Sequence, residues 1–400
     1  MSGSAEFIVP WSGKGREYTP DEVKIVVEAM KKADPQTQGK YQQEFEKKFA
    51  DFMGVPYAFA VATGTAALEL SAILTKVKKG DEVIIPAHTF AATAIPFGRT
   101  GAKIVWADID KDTRVVTAET IAKCITKKTK AIVVVHLYGL VADMDPILEL
   151  ARKKGLFVIE DAAQAPGARY KGKRAGSLGD FGCFSFHTHK NISTLGEGGM
   201  LTVKDSALAQ LVPGIRHNGM RGFDFKREKY WVPAMGNVDF DWDNVWPYNF
   251  CIGEIQCALG SKLLDRLDSI NEQRRKRALK FINQLKDFPE LEFQSVPEGC
   301  EHVFHLLAAR YNGSVYGKKR DDFIGLMAFK HKVKVIVQYY PLYRYPMFIK
   351  AGFAKADCPQ TDQFFDNMVS FPFHQWLTEK QVQYMLEATI KTLKELRKVK

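Results

Sequence analysis

No apolar run in the 400-residue chain approaches the ~20 residues needed to cross a bilayer, so no membrane-spanning helix is expected. The opening MSGSAEFIVPWSGKGREY lacks a basic segment followed by an apolar core, so no signal peptide is expected either. Cysteine is sparse. Cys124, Cys183, Cys251, Cys257, Cys300 and Cys358 are scattered with no CxxC pair. That spacing excludes a zinc ribbon or a disulfide frame and fits reduced, buried residues of a cytoplasmic protein with no metal site. Internal repeats and low-complexity segments are also missing.

Charge of one sign is in modest excess: 57 Lys and Arg against 46 Asp and Glu, a net +11. The basic clusters, such as Lys127 to Lys130 and Arg274 to Arg277, sit at helical spacing or helix ends and read as solvated faces. No nucleic-acid-binding pattern accompanies them. Anionic small molecules explain the balance better than nucleic acid or a membrane surface. With 46% hydrophobic content the chain is large enough for two domains.

What is present is a regular alternation. Thr19-Pro20-Asp21-Glu22 starts a helix to Lys32, and Lys40 to Met53 forms another, ended by Gly54. Short apolar runs follow at Tyr57 to Ala62, Glu82 to Pro86, Lys103 to Ala107, Ala131 to His136 and Leu156 to Glu160. Helical patterns separate them at Thr65 to Lys76, Phe90 to Arg99, Thr117 to Ile125 and Asp143 to Lys154. Such alternation predicts an α/β fold with a mostly parallel sheet covered by helices. Later come helices at Ile252 to Leu264, Ile270 to Asp287, Arg320 to Phe329 and Thr378 to Lys398. Strands are expected at Leu291 to Gln294, His302 to Arg310 and Lys334 to Gln338. The boundaries predict a large domain over 1–264 and a smaller α+β domain over 265–400.

The chemistry-bearing stretch is FGCFSFHTHKNISTLGEGGM, Phe181 to Met200. An apolar, strand-like run leads to Lys190, and a glycine-broken loop follows. Desolvation and neighbouring positive charge in such a place lower a lysine pKa, as an amine that attacks carbonyls requires. Upstream, Thr63-Gly64-Thr65-Ala66 joins a strand to a helix, where free N–H groups and the helix dipole suit phosphate. Asp161 ends a strand and Gln164 follows it. A carboxylate there can hold a pyridine nitrogen protonated, and the amide can meet a ring oxygen. Ser185 is a further phosphate donor, and Phe90 can stack on an aromatic ring. Singly, each is ordinary: a solvated lysine, two helix caps and a core phenylalanine. Together they match the parts of a pyridoxal phosphate site.

These residues carry a resemblance. FEKKFADFMG, ATGTAALEL, PAHTFAATA, VVHLYG, NFCIGEIQCALG and the whole stretch Val158 to Leu201 resemble the DegT/StrS family of sugar-modifying aminotransferases, from about Phe45 to Leu386. The resemblance implies a fold-type I aminotransferase, with pyridoxal 5'-phosphate as cofactor and glutamate and an oxo-sugar as substrates. It makes Lys190 the lysine that bonds the cofactor and shuttles the proton, and Asp161 the partner of the ring nitrogen. Gln164 would meet the ring hydroxyl, and Phe90 would stack on the ring. Gly64, Thr65, Ala66 and Ser185 would hold the phosphate. Asn249 would reach the phosphate of a neighbouring subunit in a homodimer whose sites lie at the interface. His187 would pack behind.

Three departures fall where substrate is met. Asn249-Phe250-Cys251 stands where Asn-Tyr-Arg is frequent. Tyr343 stands where a histidine is frequent, and Gly219 to Tyr248 is long. They imply an unusual acceptor. With the REKYWVPAM segment and the basic balance they resemble family members that act on an acidic octulosonate, and that resemblance implies the C8 aldehyde of 8-oxo-3,8-dideoxy-manno-octulosonate, a lipopolysaccharide sugar, as acceptor. Arg221, Tyr230 and Tyr343 would contact it, with Arg216, Arg227, Lys229 and Arg344 as further partners for its carboxylate. A nucleotide-linked 3- or 4-keto-6-deoxyhexose is the alternative acceptor. A regulatory protein without turnover is a third reading, disfavoured because Lys190, Asp161 and Gln164 are all kept.

Overall fold

The computed structural model describes residues 7–12, 18–220 and 245–398. In chain order its strands are β1 (Tyr57–Val61), β2 (Glu82–Pro86), β3 (Lys103–Ala107), β4 (Thr129–Val135), β5 (Phe157–Asp161), β6 (Arg169–Tyr170) and β7 (Lys173–Arg174). Then come β8 (Phe181–Ser185), β9 (Gly199–Val203), β10 (Leu291–Phe293), β11 (Cys300–Glu301), β12 (Leu307–Tyr311) and β13 (Met368–Phe371). Seven strands make one sheet in the order β1-β9-β8-β5-β4-β2-β3. The pairs from β3 through β8 are parallel, and β9 lies antiparallel between β8 and β1. β2 and β8 are buried along their whole length, as continuous apolar strands in a sheet covered on both faces must be.

The first helices fold as their caps dictate. Thr19 and Glu22 form a reciprocal capping box at the start of α1 (Pro20–Lys32). Helix α2 (Lys40–Met53) stops at Gly54, which takes the left-handed conformation at φ 68°. Helix α3 (Gly64–Leu74) is buried on nearly every face. Phe49 of α2 lies edge-on to Phe184 of β8, with ring centroids 4.9 Å apart. Burying such a ring stabilises by roughly 1.5–3 kcal/mol and fixes the strand that leads to Lys190.

Several sequence expectations are revised. Gly199, read as part of a loop, opens strand β9 (Gly199–Val203), which lies inside the sheet because it closes an antiparallel pair with β8. The Phe90 to Arg99 helix is two short pieces, Ala91–Thr93 and Ile95–Arg99. Pro96 belongs to the first turn of the second piece, since proline has no N–H to continue a helix. The His302 to Arg310 strand begins only at Leu307, because Phe304 takes a positive φ of 46° and the Arg274 guanidinium captures the Phe304 and His305 carbonyls. Lys334 to Gln338 forms only an isolated bridge, Ile336 to Ser370. Strand β13 was missed in the sequence, and it completes the antiparallel sheet β10-β12-β13. Around that sheet a second apolar core gathers Phe281, Phe323, Phe371 and the N-terminal Val9. Among the described residues no helix is long and apolar enough to cross a membrane.

Candidate active site

A cavity of about 420 Å³ opens at the carboxyl ends of β5 and β8, where open α/β sheets receive ligands. Side chains on neighbouring positions of β5 face opposite ways, and hydrogen bonding decides which carboxylate is available. Glu160 is fully buried and already accepts from His136 (2.7 Å) and the backbone N–H groups of Gly176 and Leu178. Asp161 lines the cavity instead. Its Oδ2 accepts from the Thr93 hydroxyl at 2.7 Å, and its Oδ1 accepts from the Ala163 N–H at 3.2 Å. Thr93 is thus committed as donor to Asp161, which makes Thr89, 3.0 Å behind, its donor in turn.

Lys190 rides on the connection between β8 and β9. The loop is pinned by Phe186 N–H to Gly198 O (2.8 Å), Thr188 N–H to Gly196 O (2.9 Å) and Thr194 N–H to Phe186 O (3.1 Å). The buried Asn191 amide donates to Asn271 Oδ1 at 2.9 Å and ties the loop to the Leu267–Gln284 helix. Burial pushes the Lys190 amine down from 10.5 to about 8, against the opposing pull of the Asp161 carboxylate. The expected assistance from neighbouring positive charge is therefore corrected: desolvation does the lowering, beside an anion. In the cofactor-free protein, attachment of an added aldehyde such as pyridoxal should quicken about tenfold per pH unit below pH 7 and level off above about pH 9. Rapid-mixing absorbance measures this, and a rate still climbing steeply above about pH 9 would show an ordinary solvated lysine.

The opposite end of the cavity is built for an anion. Gly64 and Thr65 open α3 and line the wall, with N–H groups that precede the helix's internal bonding. Ser185 lines it too, from the end of β8. Ala66 does not serve as expected, for its N–H donates to the Thr63 hydroxyl that caps the helix, at 3.0 Å. The approach of backbone segments here requires glycine. A Cβ on Gly64 would sit 2.8 Å from Ser185 Cβ, and one on Gly199 would sit 2.4 Å from the Thr63 carbonyl carbon. Gly199→Ala should therefore destabilise the protein by about 1–3 kcal/mol and loosen its hold on a phosphate-bearing cofactor. Chemical denaturation and equilibrium dialysis measure the two effects.

Gln164 is oriented by the buried Tyr138, whose N–H donates to Gln164 Oε1 at 2.8 Å. This leaves the amide NH2 as the free donor. Tyr138 is held in turn by His88 (2.8 Å) and by donation to the Gln338 carbonyl (2.9 Å). Phe90 is 57% exposed and lies edge-on to Tyr339 at 5.9 Å, with an open aromatic face in the cavity wall. The residues present fit pyridoxal phosphate: a helix start and a hydroxyl at one end, a carboxylate, an amide and a partly dehydrated lysine at the other.

Sequence reasoning missed Thr93, Tyr339, His305 and Trp11, which also line the cavity. They come from four separate segments, and no local pattern marks them. Other expectations are corrected. Tyr343 is buried away from the cavity and donates its hydroxyl to Asp362, which Arg344 also binds. Arg216 is buried against Glu46 and the Ala60 carbonyl (2.8 Å), so it has no substrate to meet. Asn249 is exposed outside this chain's cavity, with Oδ1 accepting from the Cys251 N–H at 3.3 Å. Arg221, Arg227, Lys229 and Tyr230 lie outside the described residues.

The model of the DegT/DnrJ/EryC1/StrS aminotransferase family matches residues 17–389. UDP-N-acetyl-3-dehydro-alpha-D-glucosamine 3-aminotransferase of Acidithiobacillus ferrooxidans is 33% identical, over 89% of this chain and 89% of its own. dTDP-3-amino-3,6-dideoxy-alpha-D-galactopyranose transaminase of Aneurinibacillus thermoaerophilus is also 33% identical, over 86% and 88%. Among solved structures, a putative sugar aminotransferase of Streptococcus pneumoniae in its PLP form superposes with a TM-score of 0.82 at 27% identity, covering 95% of this chain and 97% of that one.

Proposed function

Because the chain belongs to the DegT/DnrJ/EryC1/StrS aminotransferase family, we propose that it moves the amino group of glutamate onto the carbonyl of a nucleotide-linked keto-sugar. It is a pyridoxal phosphate-dependent sugar aminotransferase. One observation carries the assignment of roles: Lys190 and Asp161 share one cavity, and the Asp161 charge acts on the Lys190 amine. When bound, pyridoxal phosphate supplies an aldehyde for the amine and an electron-poor ring that spreads the charge left by proton removal.

The chain's own residues do the rest. Gly64, Thr65 and Ser185 hold the phosphate, and the dipole of α3 favours its charge. Asp161, fixed by Thr93, keeps a proton on the ring nitrogen. The Gln164 amide meets the ring oxygen, and Phe90 covers one face. Lys190 Nζ takes the proton from the donor's α-carbon and returns one to the sugar carbon, a role suited to an amine whose pKa lies near neutrality. Asn249, exposed and outside this cavity, is read as the contact to a neighbouring subunit's phosphate, which makes a homodimer the working unit.

The acidic octulosonate expected from the sequence gives way to its alternative. The named relatives act on UDP- and dTDP-linked sugars, and of the residues invoked for the octulosonate, Tyr343 and Arg216 are engaged elsewhere. The test is to load the protein with pyridoxamine phosphate and offer nucleotide-linked 3- and 4-keto-hexoses beside the free octulosonate aldehyde. Return of the aldehyde-form absorbance with a nucleotide-linked sugar is expected. Return with the octulosonate alone would overturn the proposal.

A further inference from the structure

We propose that His305 is a subsite for the α-carboxylate of the amino donor. The inference rests on the aminotransferase reading for its donor. Arginine is the usual partner of a carboxylate, yet no described residue lining the cavity is an arginine. Histidine takes its place. Of nine histidines in the chain, four line this one cavity: His187, His189, His305 and His374. They are not equivalent. His187 is half-exposed and faces Glu197 at 3.8 Å, and His189 is exposed. His374 is half-buried, with both ring nitrogens enclosed, and His305 is the most deeply placed of the four, at 5% exposure.

Its ring has an unmet hydrogen bond. Nδ1 is enclosed without a hydrogen-bond partner. A buried ring nitrogen left unpaired is costly whether or not it carries the proton, so the imidazole has bonding capacity to spare beside the cavity that its residue lines. A neutral imidazole has one N–H donor, from which a carboxylate entering the cavity can accept. The surroundings keep it neutral: burial and the nearby Lys190 and Arg274 charges push its pKa well below the ordinary value. The Arg274 charge, which persists when Lys190 is engaged with the cofactor, makes the local potential favourable to an anion.

The ring is also held in place before any ligand arrives. The buried Arg274 guanidinium binds the carbonyls of Phe304 (2.6 Å), His305 (2.9 Å) and Phe373 (2.9 Å). That clamp fixes the backbone carrying His305 against the Leu267–Gln284 helix, the preorganisation a binding group needs.

The donor's carboxylate is the anion that fits this depth. It is attached to the carbon whose proton Lys190 must take, so it has to lie in the cavity that Lys190 and His305 both line. The diphosphate of a nucleotide-linked acceptor is separated from the reacting carbon by part of a sugar ring and belongs nearer the rim.

The test compares wild type, His305→Ala and His305→Gln as holoenzymes, after cofactor content and melting temperature show that each is folded. Binding is titrated with glutarate, which has both carboxylates of the donor but no amine, and separately with UDP. His305→Ala should weaken glutarate roughly tenfold or more, raise the KM for glutamate by a similar factor and leave UDP unchanged. His305→Gln keeps an N–H donor and should recover most of the loss. Weakening of UDP in place of glutarate would overturn the proposal and assign the ring to the acceptor's diphosphate. Unchanged glutarate binding, or equal loss of both probes, would also overturn it. Should wild type fail to convert glutamate, the choice of glutamate falls by itself, and the comparison is made with the amino acid that does react and its amine-free analogue.

Discussion

Lys190→Ala is expected to abolish covalent attachment of pyridoxal phosphate and to cut amino transfer by at least about 10³-fold, because the amine supplies both the nucleophile and the proton carrier. The absorbance of the lysine-linked cofactor should vanish, and borohydride reduction followed by peptide mapping should find no labelled peptide. The phosphate end of the cavity is untouched, so the variant should still take up cofactor non-covalently. Stability should not suffer. A partly dehydrated ammonium is a cost to the folded state, since its pKa falls from 10.5 to about 8 on folding. The sign follows from linkage. Above about pH 8 the unfolded chain holds this proton more firmly than the folded one. The cost is therefore fully present below about pH 8 and is relieved as pH rises toward 10.5. Cofactor-free Lys190→Ala should thus melt no lower than cofactor-free wild type at neutral pH. A label that persists on another lysine would refute the assignment.

The reach of sequence reading can be judged from particular segments. Lys40 to Met53, Glu82 to Pro86 and Lys103 to Ala107 have in the structure the bounds read from the chain. A period of 3.6 ending in glycine, or a buried β-branched run, leaves little choice. Strand β9 escaped because GMLTV follows a glycine-rich loop and reveals its strand character only through pairing with β8. The helix after β2 was read as one piece because apolar spacing alone does not show that Ile95, with Pro96 in its first turn, starts a second.

The candidate site divides in the same way. Residues beside a strand end, Asp161, Ser185 and Gly64, were legible because local order determines where they point. Lys190 was legible as a residue, but its electrostatics were not, since the Asp161 charge is brought to it across the sheet. Thr93, Tyr138, Tyr339 and His305 depend on contacts between distant segments. Tyr339 rather than Tyr343 faces the cavity, and their four-residue offset could not be resolved without the path of the backbone. The buried pairing of Arg216 with Glu46 is equally invisible in the chain. A count of exposed-looking arginines overstates the supply of substrate partners.

Asp161→Asn should lower amino transfer roughly 10²- to 10³-fold, the scale on which removing one preorganised electrostatic partner acts. The substitution is close to isosteric. The side-chain oxygen can still accept from the Thr93 hydroxyl, now 2.7 Å away, while the amide nitrogen gives up the 3.2 Å bond from the Ala163 N–H, so the fold should persist with one hydrogen bond lost. What disappears is the negative charge that holds a proton on the ring nitrogen. Without it the ring draws electrons weakly, and the proton on the donor's α-carbon becomes harder for Lys190 to remove. Binding should change far less than turnover, because the phosphate is held by Gly64, Thr65 and Ser185 at the other end. A second consequence separates this role from simple packing. With its carboxylate neighbour gone, the Lys190 amine loses the interaction that raises its pKa, so attachment of an added aldehyde to cofactor-free protein should reach its plateau at lower pH than in wild type. Turnover within about threefold of wild type, where an electrostatic partner is worth far more, would mean that another group supports the ring nitrogen. An unshifted attachment profile would mean that Asp161 and Lys190 do not share the ligand.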